Sequence, residues 1–136
     1  METIKITELD YSRLSNLVES TKKTRDEELL NLSALKEEIA RAEVVSPEKI
    51  AREFVTMNSL VEILDLDTNR KMKIRLVYPR EANFKKGNVS IFSLLGSALI
   101  GCREGDRIYF NAPSGRKNVQ IIKILYQPEA NGNFNI

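Results

Sequence analysis

The spacing of apolar residues changes after the first third of this chain. Over residues 1–45, apolar side chains recur every three or four positions, which is the period of one helix face. Further along they alternate with polar side chains, most clearly over Lys71–Tyr78, as in a strand that buries one face. The change predicts an α+β chain, with a helical N-terminal arm followed by a body built on an antiparallel sheet.

The arm, residues 1–45, is expected to be a short antiparallel helical hairpin that forms a coiled coil. Its first helix is predicted over Glu8–Ser20, with Thr7 and Asp10 in a variant of the capping box. The second helix is predicted from about Asp26 to Glu43. It carries a coiled-coil-like seam of Leu32, Leu35, Ile39 and Ala42. The paired region is about 20 Å long, and so narrow a stripe suits either a projecting arm or a hairpin packed flat on the body.

The body is predicted over residues 55–136, after a connecting segment at 46–54. A sheet of about four to six strands with one short helix is expected. Recognisable strands are Asn58–Leu66, Lys71–Tyr78, Arg107–Asn111 and Asn118–Tyr126. The Pro-Ser-Gly turn before the last strand predicts a hairpin, and Arg80–Asn88 is expected to be a polar loop.

A short apolar segment of the body is the first candidate for a functional surface. Ser93 is a natural helix N-cap, and Gly101 stands where a left-handed C-cap residue is wanted. A helix this short and apolar is either buried nearly all round or apolar because something binds to it. We expect Leu99 and Ile100 to lie in the core. The edge that faces a partner is expected to comprise Ser93, Leu94, Leu95, Gly96 and Ser97.

Composition excludes several classes of function. The chain has no His, which excludes a His-based triad and a His-ligated metal. Its net charge of +2 argues against a strongly basic nucleic-acid binder. Its one cysteine, Cys102, excludes an internal disulfide and is expected to be a small core residue. No apolar run is long enough to span a bilayer, so a soluble, cytoplasmic protein is expected.

Charged residues cluster near the predicted tip of the hairpin. Lys22, Lys23 and Arg25 are basic, and Asp26 and Glu27 follow directly. Carboxylates at a projecting end could share a Mg²⁺ with the active site of another macromolecule. Acidic residues in a first helical turn also simply complement the helix dipole. Both interpretations are open at this point.

Six short motifs follow one another along the chain: Val55-Thr-Met-Asn-Ser, Leu76-Val-Tyr-Pro, Gly87-Asn-Val-Ser-Ile, Ala98-Leu-Ile-Gly, Glu104-Gly-Asp and Leu125-Tyr-Gln-Pro-Glu. With them the chain closely resembles the Rnk group, a relative of the bacterial GreA/GreB transcription factors, over nearly its whole length. The first and last motifs point to the Rnk branch, and the Ala-Leu-Ile-Gly pattern is shared with Gre factors generally. The resemblance implies an FKBP-like fold for the body.

The resemblance also implies a partner, the RNA polymerase core enzyme. In Gre factors the segment that matches Ser93–Gly101 belongs to a surface that docks near the secondary channel of polymerase. Acidic residues at the tip of their coiled coil help hold a catalytic Mg²⁺ for cleavage of backtracked RNA. Here the arm is much shorter, and Leu94 stands where the family usually has proline. An arm that stops short brings no carboxylate to the metal, so a regulator that competes with Gre-type factors without cleaving RNA is expected.

Three other functions compete with this interpretation. They are transcript cleavage through Asp26, Glu27 or Glu28, prolyl isomerisation by analogy of fold, and indirect control of nucleoside diphosphate kinase. The expected partner-binding residues are Ser93, Leu94, Leu95, Gly96 and Ser97 on the short helix, and Lys22, Lys23, Arg25, Asp26 and Glu27 at the tip. We expect a monomer with no catalytic residue, no cofactor, no metal, no membrane partner and no direct sequence-specific binding of nucleic acid.

Overall fold

The computed structural model describes residues 4–20, 35–112 and 115–132. Its helical part comprises strand β1 (Lys5–Thr7), helix α1 (Glu8–Ser20), helix α2, described over residues 35–41, and strand β2 (Glu43–Val45). The two strands pair in parallel. The α+β class and the first predicted helix are confirmed, and a small parallel sheet that the sequence did not reveal joins the ends of the two helices.

The apolar positions of both helices face the interior. Leu14 and Val18 on α1 are buried, as are Leu35 and Ile39 on α2. All four belong to the same core cluster as the buried residues of the body. The helical part and the body therefore share one contiguous core, while the predicted tip of the hairpin lies outside the described residues.

The body is a five-stranded sheet with one short α-helix. Its elements are β3 (Leu60–Asp65), β4 (Arg70–Val77), β5 (Asn88–Ser90), α3 (Leu94–Leu99), β6 (Arg107–Ala112) and β7 (Gly115–Tyr126). In space the strands follow the order β5-β4-β3-β7-β6. The β6–β7 hairpin is confirmed, with Ala112 opposite Gly115.

Two details of the body correct the expectations from the sequence. Strand β5 pairs in parallel with β4, so the sheet is mixed rather than wholly antiparallel. The expected loop Arg80–Asn88 instead holds the end of one 3₁₀ turn, Pro79–Glu81, all of a second, Phe84–Lys86, and the first residue of β5. A three-residue strand is too short to show the alternation by which strands are recognised.

One face of the sheet supplies the core, and the alternate residues form the opposite face. Val61 on β3 lies opposite Ile74 on β4, and both are buried. Ile121 on β7 and Leu99 on α3 complete this side, each fully buried. We call this the inner face and the opposite one the outer face. Because side chains alternate along a strand, the register decides which residues each face displays.

No helix in the described ranges combines the length and the apolar character that a membrane crossing requires. The same ranges hold no group of three or more His, Cys, Asp or Glu side chains placed to hold a metal ion.

Candidate partner-binding surface

Helix α3 begins at the N-cap that the sequence predicted. The Ser93 hydroxyl accepts a hydrogen bond from the Gly96 N–H at 3.0 Å and donates one to the Ser90 carbonyl at 2.7 Å. The first bond satisfies one of the backbone donors that a helix start leaves unpaired. Ser93 thereby links the start of α3 to the end of β5.

Gly96 and Ser97 lie inside the body rather than at a partner edge. A Cβ added at Gly96 would overlap the carbonyl oxygen of Ser90, so only glycine fits at this approach. Ser97 is 4% exposed, and its hydroxyl donates to the Leu94 carbonyl at 3.2 Å. Their burial removes both residues from the surface on which we expected them.

The accessible part of the expected edge is smaller. Ser93, Leu94 and Leu95 are each half-buried, and Leu95 also packs against the core. Leu99 and Ile100 are buried, as predicted. We refer to Ser93, Leu94 and Leu95 as the α3 edge, and it is a partly exposed apolar surface on a helix whose other side is fixed in the core.

The C-terminal end of α3 is tied to the helical part. Gly101 has φ +77°, the left-handed conformation that the sequence predicted. A Cβ at this position would come within 2.8 Å of the Ile4 Cβ. The Lys5 N–H donates to the Gly101 carbonyl at 3.2 Å, and the Gly101 N–H donates to the Val55 carbonyl at 2.9 Å. Strand β1 and the body therefore meet directly behind α3.

A cleft of about 360 Å³ opens beside α3, between α2 and the start of β6. Arg41 and Glu38 of α2 form an ion pair at its edge, in which the Arg41 Nη2 donates to both carboxylate oxygens at 2.7 Å. Cys102 is half-buried in the wall, where its thiol donates to the Ala98 carbonyl at 3.2 Å. The expectation of a core cysteine is correct only in part, because Cys102 packs against the core on one side and lines the open cleft on the other.

A buried carboxylate joins helix α1 to the body. The Asp10 N–H donates to the Thr7 hydroxyl at 3.1 Å, which confirms the predicted cap. Its carboxylate, however, accepts a hydrogen bond at 3.0 Å from the Met57 N–H, 47 positions away. Burial raises the pKa of Asp10 to about 7, against the opposing effect of the Met57 hydrogen bond. This junction has no local signal in the sequence, because a cap and a long-range tether use the same residue type.

The C-terminal residues close the same junction. The Thr56 hydroxyl donates to a Glu129 carboxylate oxygen at 2.7 Å, and burial raises the pKa of Glu129. The buried Gln127 side-chain amide donates to the Phe54 carbonyl at 2.7 Å and to the Ala51 carbonyl at 2.9 Å. These bonds hold the connecting segment to the end of β7.

The five candidate residues of the arm tip lie outside the described residues: Lys22, Lys23, Arg25, Asp26 and Glu27. Their role therefore stays a prediction. The described site consists of the α3 edge, the cleft beside it and the Asp10 junction, all of which surround the contact between the helical part and the body.

Comparisons with known proteins place this geometry in a family. Residues 50–126 match the family model described as "Transcription elongation factor, GreA/GreB, C-term", and residues 3–45 match "Rnk N-terminus". The regulator of nucleoside diphosphate kinase of Escherichia coli K12 is 34% identical over 133 residues, which covers 97% of this chain and 96% of that protein.

Two further relatives carry the GreA or GreA/GreB description. Transcription elongation factor GreA of Bartonella tribocorum is 39% identical over 95 residues, which covers 70% of this chain and 60% of GreA. A solved structure described as a prokaryotic transcription elongation factor GreA/GreB from Nitrosomonas europaea superposes with a TM-score of 0.74 at 35% identity. That match covers 93% of this chain and 100% of the solved one. The chain therefore belongs to the GreA/GreB family of transcription elongation factors, with an N-terminal segment of the Rnk type.

Proposed function

We propose that this protein regulates transcription by binding the RNA polymerase core enzyme near its secondary channel, without cleaving RNA itself. The observation that carries the proposal is the α3 edge. It places Leu94 and Leu95 at the surface of a helix that Ser93 caps and that Gly96 presses against the turn after β5. A preformed apolar edge binds a partner at a low cost in conformational entropy.

The extent of the two matches supports binding without cleavage. The match with the Bartonella GreA covers 70% of this chain and 60% of that protein, whereas the match with the E. coli regulator covers 97% of this chain and 96% of that protein. Cleavage assisted by a metal ion requires carboxylates within coordination distance of that ion. A protein with a shorter arm keeps its carboxylates outside this distance, while its body still occupies the docking surface on polymerase. The proposed effect on transcription is competition with longer-armed factors.

A competition experiment tests this proposal. Immobilised core polymerase is titrated with the purified chain, first alone and then with a GreA factor present. We expect saturable binding that the GreA factor displaces. Failure to bind at about 10 µM, an affinity weaker than about −7 kcal/mol, would remove the proposal.

Stimulated transcript cleavage is the second candidate, because Asp26 and Glu27 adjoin the predicted arm tip. A stalled, backtracked complex with Mg²⁺ separates it from the first. We expect no shortened RNA beyond the polymerase background. Cleavage that disappears in the double variant Asp26→Ala and Glu27→Ala would reverse the ranking of the two candidates.

A further inference from the structure

The outer face of the five-stranded sheet displays a concentration of positive charge. On β4, Lys71 and Lys73 are exposed, whereas Ile74 and Leu76 are buried on the inner face. Lys73 lies opposite Glu62 of β3, and Glu62 lies opposite Lys123 of β7. Directly opposed residues share a face of the sheet, so three neighbouring strands contribute lysines and a glutamate to one surface.

Strand β6 extends the same surface. Arg107 lies opposite Gln120, and Arg116 at the start of β7 lies opposite Asn111. Strand β6 is three positions away from β4 in the sheet order, which is a distance of about 14 Å. The outer-face cations are Lys71, Lys73, Arg75, Arg107, Arg116 and Lys123.

Few carboxylates balance these cations. Glu62 lies among them, and the exposed Glu104 lines a cleft together with Lys123. Asp67 at the rim accepts hydrogen bonds from the Asn118 backbone and side-chain amide at 3.1 and 3.3 Å. Within the described ranges, the salt bridges involve other cations, namely Lys5, Arg41 and Arg103. A chain with a net charge of only +2 therefore has a strongly positive outer face, and this asymmetry attracts a polyanion.

Aromatic rings lie among the cations. Tyr109 is 61% exposed and lies opposite Asn118 on the outer face. The Arg116 guanidinium stacks on its ring, 3.8 Å from the centroid. Tyr126 lies opposite Leu60 at the far end of the face, with the Arg75 guanidinium 5.5 Å from its ring centroid. Nucleic-acid bases stack both on aromatic rings and on guanidinium planes.

We propose that the outer face binds single-stranded RNA without sequence preference. Lys71 and Lys73 stand about 7 Å apart along β4 and contact phosphates, while the Tyr109–Arg116 pair supplies a stacking platform. An acidic protein surface would use the charges but has no need of exposed stacked rings. Polar amides of Asn111 and Gln120 on the same face offer partners for the ribose 2′-hydroxyl, which distinguishes RNA from DNA.

This surface does not include the α3 edge, although its Arg107 and Tyr109 also line the cleft beside α3. Leu99 and Ile100 of the α3 segment are buried in the core, on the side of the sheet opposite the outer-face cations. RNA on the outer face would therefore leave the α3 edge accessible. The proposal does not depend on polymerase binding, and its test uses the purified full chain alone.

The first test measures how much the lysine charges contribute to RNA binding. Fluorescence anisotropy follows a labelled RNA of mixed sequence, about 12 nucleotides long, at salt concentrations from about 50 to about 200 mM. The double variant Lys71→Gln and Lys73→Gln should bind more weakly. The negative slope of log K against log salt should become shallower by about 1.4, because two phosphate contacts are lost. The matched control, Lys36→Gln and Lys49→Gln, also removes two exposed lysines but lies off the sheet. It should leave both values unchanged.

The second test measures how much the Tyr109 ring contributes to RNA binding. Tyr109→Leu keeps an apolar side chain on β6 but removes the ring, so affinity for RNA should fall by about 5- to 150-fold. The control Tyr11→Leu changes another exposed tyrosine, which lies on α1, and should have no effect. Thermal unfolding of each variant verifies that the fold is intact.

Four results would overturn the proposal. They are no binding at the lowest salt concentration, an equal loss in the charge variant and its control, binding of single-stranded DNA as tight as that of RNA, and binding of polyglutamate as tight as that of RNA. The last result, together with an unchanged affinity of Tyr109→Leu, would assign the outer face to an acidic protein partner instead.

Discussion

The Asp10 carboxylate accepts a hydrogen bond from the Met57 N–H at 3.0 Å and so fixes the start of α1 against the body. Asp10 is 1% exposed. Glu129 adds to the rise in its pKa, while Arg13 and the Thr7 hydroxyl oppose it. The orientation of the helical part relative to the α3 edge thus depends on a carboxylate that titrates near neutral pH.

This junction makes stability depend on pH. The pKa of Asp10 is about 7 in the fold against 3.8 ordinarily, so the native state binds the proton more tightly than the unfolded chain does. The contribution of Asp10 is complete below about pH 4 and declines as pH rises to about 7, by up to about 4 kcal/mol. Urea unfolding across this range should show the free energy of unfolding falling as pH rises.

Asp10→Asn tests the assignment of that slope to one residue. An amide oxygen can still accept from Met57 but carries no titratable proton, so the pH dependence should flatten. Glu8→Gln is a matched control, since Glu8 is exposed on the same helix. If the slope persisted in Asp10→Asn, another group, with Glu129 the first candidate, would have to be its source.

Gly96→Ala should destabilise the body. The added methyl group would overlap the Ser90 carbonyl, which is backbone and cannot rotate away, so we expect a loss of about 3 kcal/mol. Gly105→Ala is the comparison, because Gly105 has φ +94° but no atom within 4 Å of an added Cβ. It should lose only about 1–2 kcal/mol from backbone strain. Equal losses in chemical denaturation would contradict the close approach of α3 to Ser90.

Ser93→Ala should lower the free energy of unfolding by about 1 kcal/mol, because the Gly96 N–H loses its acceptor. Ser93→Asn keeps a side-chain oxygen suited to the N-cap and should restore most of the loss. Thermal or urea unfolding of the three proteins makes the comparison. Failure of asparagine to rescue would show that the bond from Ser93 to the Ser90 carbonyl, and not the cap, is the important one.

The parts of the fold that were predictable have local signals. The alternation over β4, the turn before β7 and the cap at Ser93 each follow from residues within a few positions of one another. Gly96 could not be assigned to the interior in this way, because a glycine has no side chain whose character reports burial.

The missed features are long-range. The hydrogen bond from Met57 to Asp10 spans 47 positions. The outer face combines Lys73 of β4 with Tyr109 of β6, and only the strand order and register bring them to one surface. The two residues are 36 positions apart in the sequence, so no local pattern of basic and aromatic residues reveals that arrangement.

The affinity of Leu94→Glu for core RNA polymerase tests the central claim most directly. A carboxylate in the middle of the α3 edge would be desolvated without a partner, so binding should weaken at least about tenfold. Leu125→Glu, at a leucine 40% exposed on β7, is the control and should bind as the unchanged chain does. Equal affinities for all three proteins, or equal losses in both variants, would contradict docking through the α3 edge.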